Sequence, residues 1–299
     1  MLTAAQTNAL RRVVTIMNQK GGVGKTSTST NTAGALASNG FKVCLIDLDS
    51  QCSTGADLGF KSAGLSDNGA GLYKAVSFGE ELQPLKNVRP NLDVVPAGVH
   101  TADLEDYFQS RNRNSVGTQL AETLAPLAPR YDVVLIDTPP NSPVLMDQAL
   151  LAARWLVIPT RTDSESIDGL TRLAERIGRI AEHNPNLTVL GALIFGTSGR
   201  STASGIVGSA RKDLEGVLGD VAPVFDTFIR YAESPARASR ERGQLVAELA
   251  QALIEKHDAS DLTKSVIGLA DDYKRLAEEI VRALANAEEE AARAEGVQA

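Results

Sequence analysis

Short apolar runs rich in β-branched residues alternate along the chain with stretches whose apolar residues recur every three or four positions. This alternation is the signature of βαβ units, whose parallel strands are buried on both faces and so read as continuous apolar runs. Strands are expected over Val13–Met17, Lys42–Asp47, Leu92–Pro96, Val133–Asp137, Trp155–Pro159 and Thr188–Phe195. Apolar spacing predicts helices over Ser27–Ser38, Val144–Ala153, Ser166–Glu182 and Ala203–Leu218. The fold expected is α/β: a doubly wound, mostly parallel sheet with helices on both faces. Polar residues just beyond its strand ends are then where chemistry belongs.

Lys61–Ala70 and Gln109–Ser115 are polar surface breaks rather than domain boundaries. From Asp258 onward Leu262, Val266, Leu269, Tyr273, Leu276, Ile280 and Leu284 repeat at helical spacing. The expected organisation is a flexible leader (1–12), one domain (13–257), a docked C-terminal helix (258–287) and an acidic, frayed tail (288–299).

With 299 residues, 43% of them hydrophobic, the chain can bury a large core. Its net charge of -7 restricts any nucleic-acid binding to a local patch. Aromatic content of 4% argues against reading single strands by base stacking. Cys44 and Cys52 form neither a disulfide framework nor a zinc-type spacing, which fits a reduced cytoplasmic setting and packing thiols. The leader lacks the profile of a secretory signal, and no run approaches the roughly 20 apolar residues of a membrane span.

Directly after the first strand comes Gln19-Lys20-Gly21-Gly22-Val23-Gly24-Lys25-Thr26-Ser27, leading into a helix. Glycines there let backbone N–H groups approach phosphate oxygens, Lys25 reaches the β/γ-phosphates, and Thr26 ligates Mg²⁺. The general phosphate loop has glycine where Gln19 stands, so this is a variant. Asp137, at the tip of a buried apolar strand, is placed to orient the metal's water shell. Asp47 and Asp49, spaced i, i+2 beyond another strand, suit one metal-facing or structural role and one water-orienting role; ordinary loop solvation is the alternative.

These segments together resemble the deviant Walker A ATPases, the group that includes ParA, MinD, the Mrp proteins, the arsenite-pump ATPase and the nitrogenase iron protein. The marker is the additional Lys20 in KGGVGKT; the resemblance implies that it reaches the partner's ATP across a nucleotide-sandwich homodimer. The order KGGVGKT, IDLDSQ, YDVVLIDTPP and ESPARASRERG is most similar to ParA and covers about Val13 to Ile254. Two departures stand out: Asp49-Ser50-Gln51-Cys52 replaces the usual Asp-Pro-Gln-Gly, and Glu233-Ser234-Pro235 replaces Glu-Ala-Pro. The loop begins near residue 20, which leaves no room ahead of it for the helix-turn-helix domain of larger ParA proteins. Site-specific repressor activity is therefore not expected.

The resemblance implies ATP and Mg²⁺ as cofactors, with Lys20, Gly21, Gly22, Val23, Gly24, Lys25, Thr26 and Ser27 around the nucleotide. Thr26, Asp47 and Asp137 would serve the metal, while Asp49 would orient the attacking water. Hydrolysis would be slow and stimulated by a ParB-type centromere-binding partner, and the ATP-bound dimer would coat non-specific double-stranded DNA on the nucleoid. Arg230, Arg237, Arg240 and Arg242 fall in one short polar segment, with Arg200, Arg211 and Lys212 upstream. Their spacing fits a phosphate-binding patch and an ordinary solvated face equally well. The resemblance favours DNA for Arg200, Arg230, Arg237 and Arg240. A cargo-positioning or MinD-like membrane-cycling role is the alternative. The tail's glutamates, outnumbering its lysines and arginines, oppose attraction to anionic lipid.

Overall fold

In the computed structural model, which describes residues 2–111, 117–197, 206–219 and 222–297, one eight-stranded sheet organises the chain. The strands are β1 (Val13–Ile16), β2 (Val43–Asp47), β3 (Leu85–Arg89), β4 (Leu92–Val95), β5 (Val133–Asp137), β6 (Trp155–Thr160), β7 (Thr188–Thr197) and β8 (Val224–Arg230). They lie in the order β3-β4-β2-β5-β1-β6-β7-β8, parallel except for β3, which runs antiparallel to β4. The six predicted strands are present, and β3 and β8 add the two edges.

Helices are α1 (Ala4–Ala9), α2 (Lys25–Ser38), α3 (Ser53–Asp57), α4 (Ala70–Phe78), α5 (His100–Arg111), α6 (Gln119–Leu124), α7 (Pro143–Ala152), α8 (Ser164–Ala181), α9 (Ile206–Leu218), α10 (Glu233–Arg242), α11 (Val246–Glu255) and α12 (Asp261–Val297). Successive side chains of a strand point to opposite faces, so each buried run feeds two cores. Cys44 and Ile46 join the core under α4–α9, whereas Val43 and Leu45 join the one under α2, α11 and α12. Both cysteines are free and buried.

Within the leader read as flexible, residues 4–9 form a helix whose Thr3 and Gln6 make a reciprocal capping box, and Leu10 is buried beyond it. The arginine-bearing segment read as polar is α10; Pro235 sits in its first turn, where a missing N–H is tolerated. The predicted stripe on α12 is buried at Val266, Leu269, Tyr273, Leu276, Ile280 and Leu284. The helix runs on through residues read as tail, and Glu288 pairs with Arg12 at 2.9 Å. Glu279 accepts from the backbone N–H groups of Asp226 and Thr227 at 2.6 and 2.8 Å, so α12 satisfies donors on the sheet's β8 edge. Among the described residues no helix is long and apolar enough to cross a membrane.

Candidate nucleotide site

Strands β1, β2 and β5 are neighbours whose carboxyl ends open on one side, and the loop leaving β1 turns there into α2. The loop is pinned from beneath by the fully buried Asn18, which donates to the Pro159 carbonyl at 2.8 Å and accepts from the Lys20 N–H at 3.0 Å. Gly22 and Gly24 have φ of 72° and 85°, where side chains other than glycine are strained. A Cβ on Gly24 would also lie 2.2 Å from the Phe195 ring. Gly24 caps α2 without a side-chain hydrogen bond, which leaves the helix's first N–H groups directed toward an anion.

Lys25 is buried, and its Nζ donates to the Lys20 carbonyl at 2.9 Å. Burial lowers the pKa of this ammonium, and the charges of Asp137 and Asp49 oppose that shift. Lys20 pairs with Asp163, beyond the end of β6. Asp47 and Asp137 are register partners on β2 and β5, and both are fully buried. Burial and then the charge of Asp137 push the Asp47 carboxyl well above the usual range. Burial also pushes Asp137 up to about 7, against the hydroxyls of Thr26 and Ser29 and the charge of Lys25. Ser29 donates to Asp137 Oδ1 at 2.8 Å, while Oδ2 is buried with no hydrogen-bond partner among the described residues. Asp47 accepts from the Asp49 N–H at 2.8 Å and from the Thr54 hydroxyl.

Two buried carboxylates side by side, one with an orphaned oxygen, form a local excess of negative charge that a cation relieves. Their oxygens and the Thr26 hydroxyl are hard donors suited to Mg²⁺, which keeps several waters and takes few protein ligands. Among the described residues there is no group of three or more His, Cys, Asp or Glu side chains that could hold a metal ion.

The family model described as AAA domain matches residues 11–189. The chain is 35% identical over 236 residues to the chromosome partitioning protein ParA of Caulobacter vibrioides, covering 75% of this chain and 84% of that one. It is also 35% identical to the Myxococcus xanthus chromosome partitioning protein ParA, spanning less than two thirds of that protein, 64%. The chain belongs to the ParA family.

Solved structures repeat this architecture. Apo McdA from Cyanothece superposes with a TM-score of 0.68 at 22% identity over 87% of this chain and 98% of that one. A cobyrinic acid a,c-diamide synthase from Mycobacterium smegmatis, with bound ADP and magnesium, gives 0.62 at 26% identity over 82% and 95%.

In this ParA-family chain the loop, Asp47, Asp49 and Asp137 converge, and several of the arginines read from sequence are engaged by carboxylates. Arg200 lies outside the described residues. Arg230 clasps the fully buried Asp272 with Nε and Nη2, at 2.6 and 2.8 Å. Arg240 donates from Nε to Asp57 Oδ1, and Arg211 bonds Asp226 and the Phe225 carbonyl. Arg237 faces solvent, 74% exposed and 3.7 Å from Glu241; Arg242 is exposed as well, and Arg240 is half exposed. Sequence reasoning passed over Asn18, Ser29, Thr54, Asp163 and Phe195. Asn18 and Ser29 stand within three or four residues of quoted motif positions, so a periodicity reading of α2 could have placed Ser29 toward β5.

Proposed function

We propose that the chain is a Mg²⁺-ATP-driven dimeric switch for DNA segregation. The observation that supports this most is the convergence of Lys25, Thr26, Asp47, Asp49 and Asp137 at the carboxyl ends of three adjacent strands in a ParA-family chain. Lys25 supplies a point charge to the β/γ-phosphates, and the α2 N-terminus adds backbone donors. Bound Mg²⁺ supplies charge neutralisation at the phosphate oxygens. Thr26, Asp47 and Asp137 would hold it. Asp49, on the loop after β2, orients the attacking water. Lys20 exchanges Asp163 for the nucleotide of a second copy as the sandwich dimer forms.

In this reading the ATP-bound dimer binds double-stranded DNA without sequence preference, and a ParB-type partner speeds hydrolysis and release. The relatives named as chromosome partitioning proteins support it. Exposed Arg237 is the favoured DNA contact among the sequence candidates; two copies in a dimer multiply a weak patch. The test is duplex DNA affinity at several salt concentrations with ATP, ADP and no nucleotide. Salt-sensitive binding that needs ATP is expected. Equal binding in all three states, or none, overturns the DNA switch and leaves cargo positioning or membrane cycling.

A further inference from the structure

The cavity over the phosphate loop has a volume of about 420 Å³. Besides the loop residues and Asp49 it is lined by Phe195, whose ring packs on Gly24, and by Arg230, Tyr231, Leu269 and Tyr273. Arg161, Glu233 and Arg240 line it as well, so apolar, aromatic and charged groups meet there. Once phosphates lie on the loop, the remaining space is left for the nucleoside.

Arg230 is held there by the C-terminal helix. Its Nε and Nη2 donate to the two oxygens of Asp272, and the Arg230 backbone N–H donates to Asp272 Oδ2 at 3.1 Å. One turn earlier on α12 stands Gly268, where an added Cβ would lie 2.3 Å from Arg230 Nη1 and 2.8 Å from Cζ. Glycine inside a helix lowers its stability, so this position gives up helix propensity for room in which the guanidinium lies flat. Charge balance alone does not explain the arrangement, because Arg275 already donates to Asp272 Oδ1 at 2.6 Å. With Nε and Nη2 engaged, Nη1 keeps its donors, and no acceptor for them is found among the described residues.

We infer that the Gly268–Asp272 notch of α12 positions Arg230 as a nucleoside-contacting residue of the nucleotide site. Asp272 is a positioning residue: it fixes the plane of the guanidinium, and Arg230 presents its remaining donors to the hydroxyls or ring nitrogens of a bound nucleoside. The C-terminal helix thereby becomes part of the nucleotide site. Arg230 is withdrawn from the DNA surface. This rests on the nucleotide-binding reading above.

The experiment is titration calorimetry of the full chain with ATP, ADP and inorganic tripolyphosphate, for wild type, Asp272→Asn, Gly268→Ala and Arg230→Lys. Asp272→Asn keeps the shape and removes the charge, Gly268→Ala fills the notch, and Arg230→Lys keeps the charge without the planar fork. Each variant is expected to weaken ATP and ADP about tenfold, the loss of one charge-assisted hydrogen bond, with tripolyphosphate affinity within about twofold of wild type. Variants that lose thermal stability yet bind ATP like wild type would reduce the clasp to a structural staple and overturn the inference. Parallel loss of tripolyphosphate would overturn it too, by showing a general collapse of the pocket. If Asp272→Asn does not fold, Gly268→Ala and Arg230→Lys decide the matter. Wild type that fails to bind ATP would defeat the nucleotide reading itself, a separate result.

Discussion

Arg240 on α10 and Asp57 on α3 are joined by a charge-assisted hydrogen bond of 2.6 Å, Nε to Oδ1, across 183 residues of sequence. The other Asp57 oxygen accepts from Thr30 on α2 at 3.3 Å, so one carboxylate ties three helices around the phosphate loop. Asp57 is only 11% exposed in its side chain, whereas Arg240 is half exposed. Arg240→Ala leaves a mostly buried charge with one hydroxyl partner. The expected cost is about 1–2 kcal/mol, at the low end for a charged hydrogen bond because solvent reaches the arginine. Asp57→Asn should cost less, and chemical denaturation of both single variants and the double variant checks the coupling.

Lys25→Ala is expected to weaken ATP binding by on the order of 100-fold or more, since backbone donors alone cannot replace an ammonium against the β/γ-phosphates. Lys25 is buried beside Asp137 and Asp49, so the variant must also be shown to fold, by circular dichroism. Calorimetry showing unchanged ATP affinity in the folded variant would remove the site assignment.

Asp49→Ala is expected to leave ATP affinity within about twofold of wild type while lowering kcat by on the order of 100-fold, because a water-orienting carboxylate acts in the transition state. The Asp49 N–H to Asp47 bond is made by the backbone and survives the substitution. ATP-bound protein should then persist as a dimer on sizing; a monomer with ATP would assign Asp49 a structural role.

Asp137→Asn removes one of two adjacent buried carboxylates. Without metal, its unfolding midpoint should rise by about 3 °C, as relief of a like-charge pair is worth on the order of 1 kcal/mol in a domain this size. With Mg²⁺ and ATP, wild type should gain thermal stability and the variant should gain far less. Thermal scans with and without Mg²⁺ check both halves, and an equal gain in the two proteins contradicts the role given to Asp137.

Arg237→Glu should flatten the slope of log K against log salt for duplex DNA by about one unit or more per copy. Ion pairing to Glu241 at 3.7 Å is weak at this exposure, so folding should be unaffected. Arg230→Glu is a poor probe of the same question. It would set a second carboxyl against buried Asp272 and lower stability before any DNA is added. Filter-binding isotherms with ATP, paired with thermal scans, separate the two effects.

The strands that carry the site were legible because β1, β2 and β5 are buried on both faces and leave unbroken apolar runs ending in the chemistry-bearing residues. The edges were not. β3 reads Leu-Lys-Asn-Val-Arg, with Asn87 at φ 51° and a register shift, and β8 is interrupted by Asp226 and Thr227. Edge strands with one solvated side and irregular pairing lose the period on which recognition depends. The fate of the arginines was equally hidden. A guanidinium in the sequence looks the same whether it faces water or a carboxylate 42 residues away, and the partner of Arg230 is visible only once α12 is docked. Gly268, an interior helix glycine in an otherwise ordinary stripe, was the one local irregularity that hinted at a close approach.

The Glu279 carboxylate, spanning the amides of Asp226 and Thr227, gives the last helix a second duty at the rim of the sheet. A sheet margin with open amides is a template on which another strand can crystallise its own pairing. Chains shortened ahead of Glu279 would carry that template uncovered. Their failure would then show itself as growth of β-rich aggregates from β8 outward, a polymerisation with a lag and a concentration dependence rather than a simple drop in melting temperature.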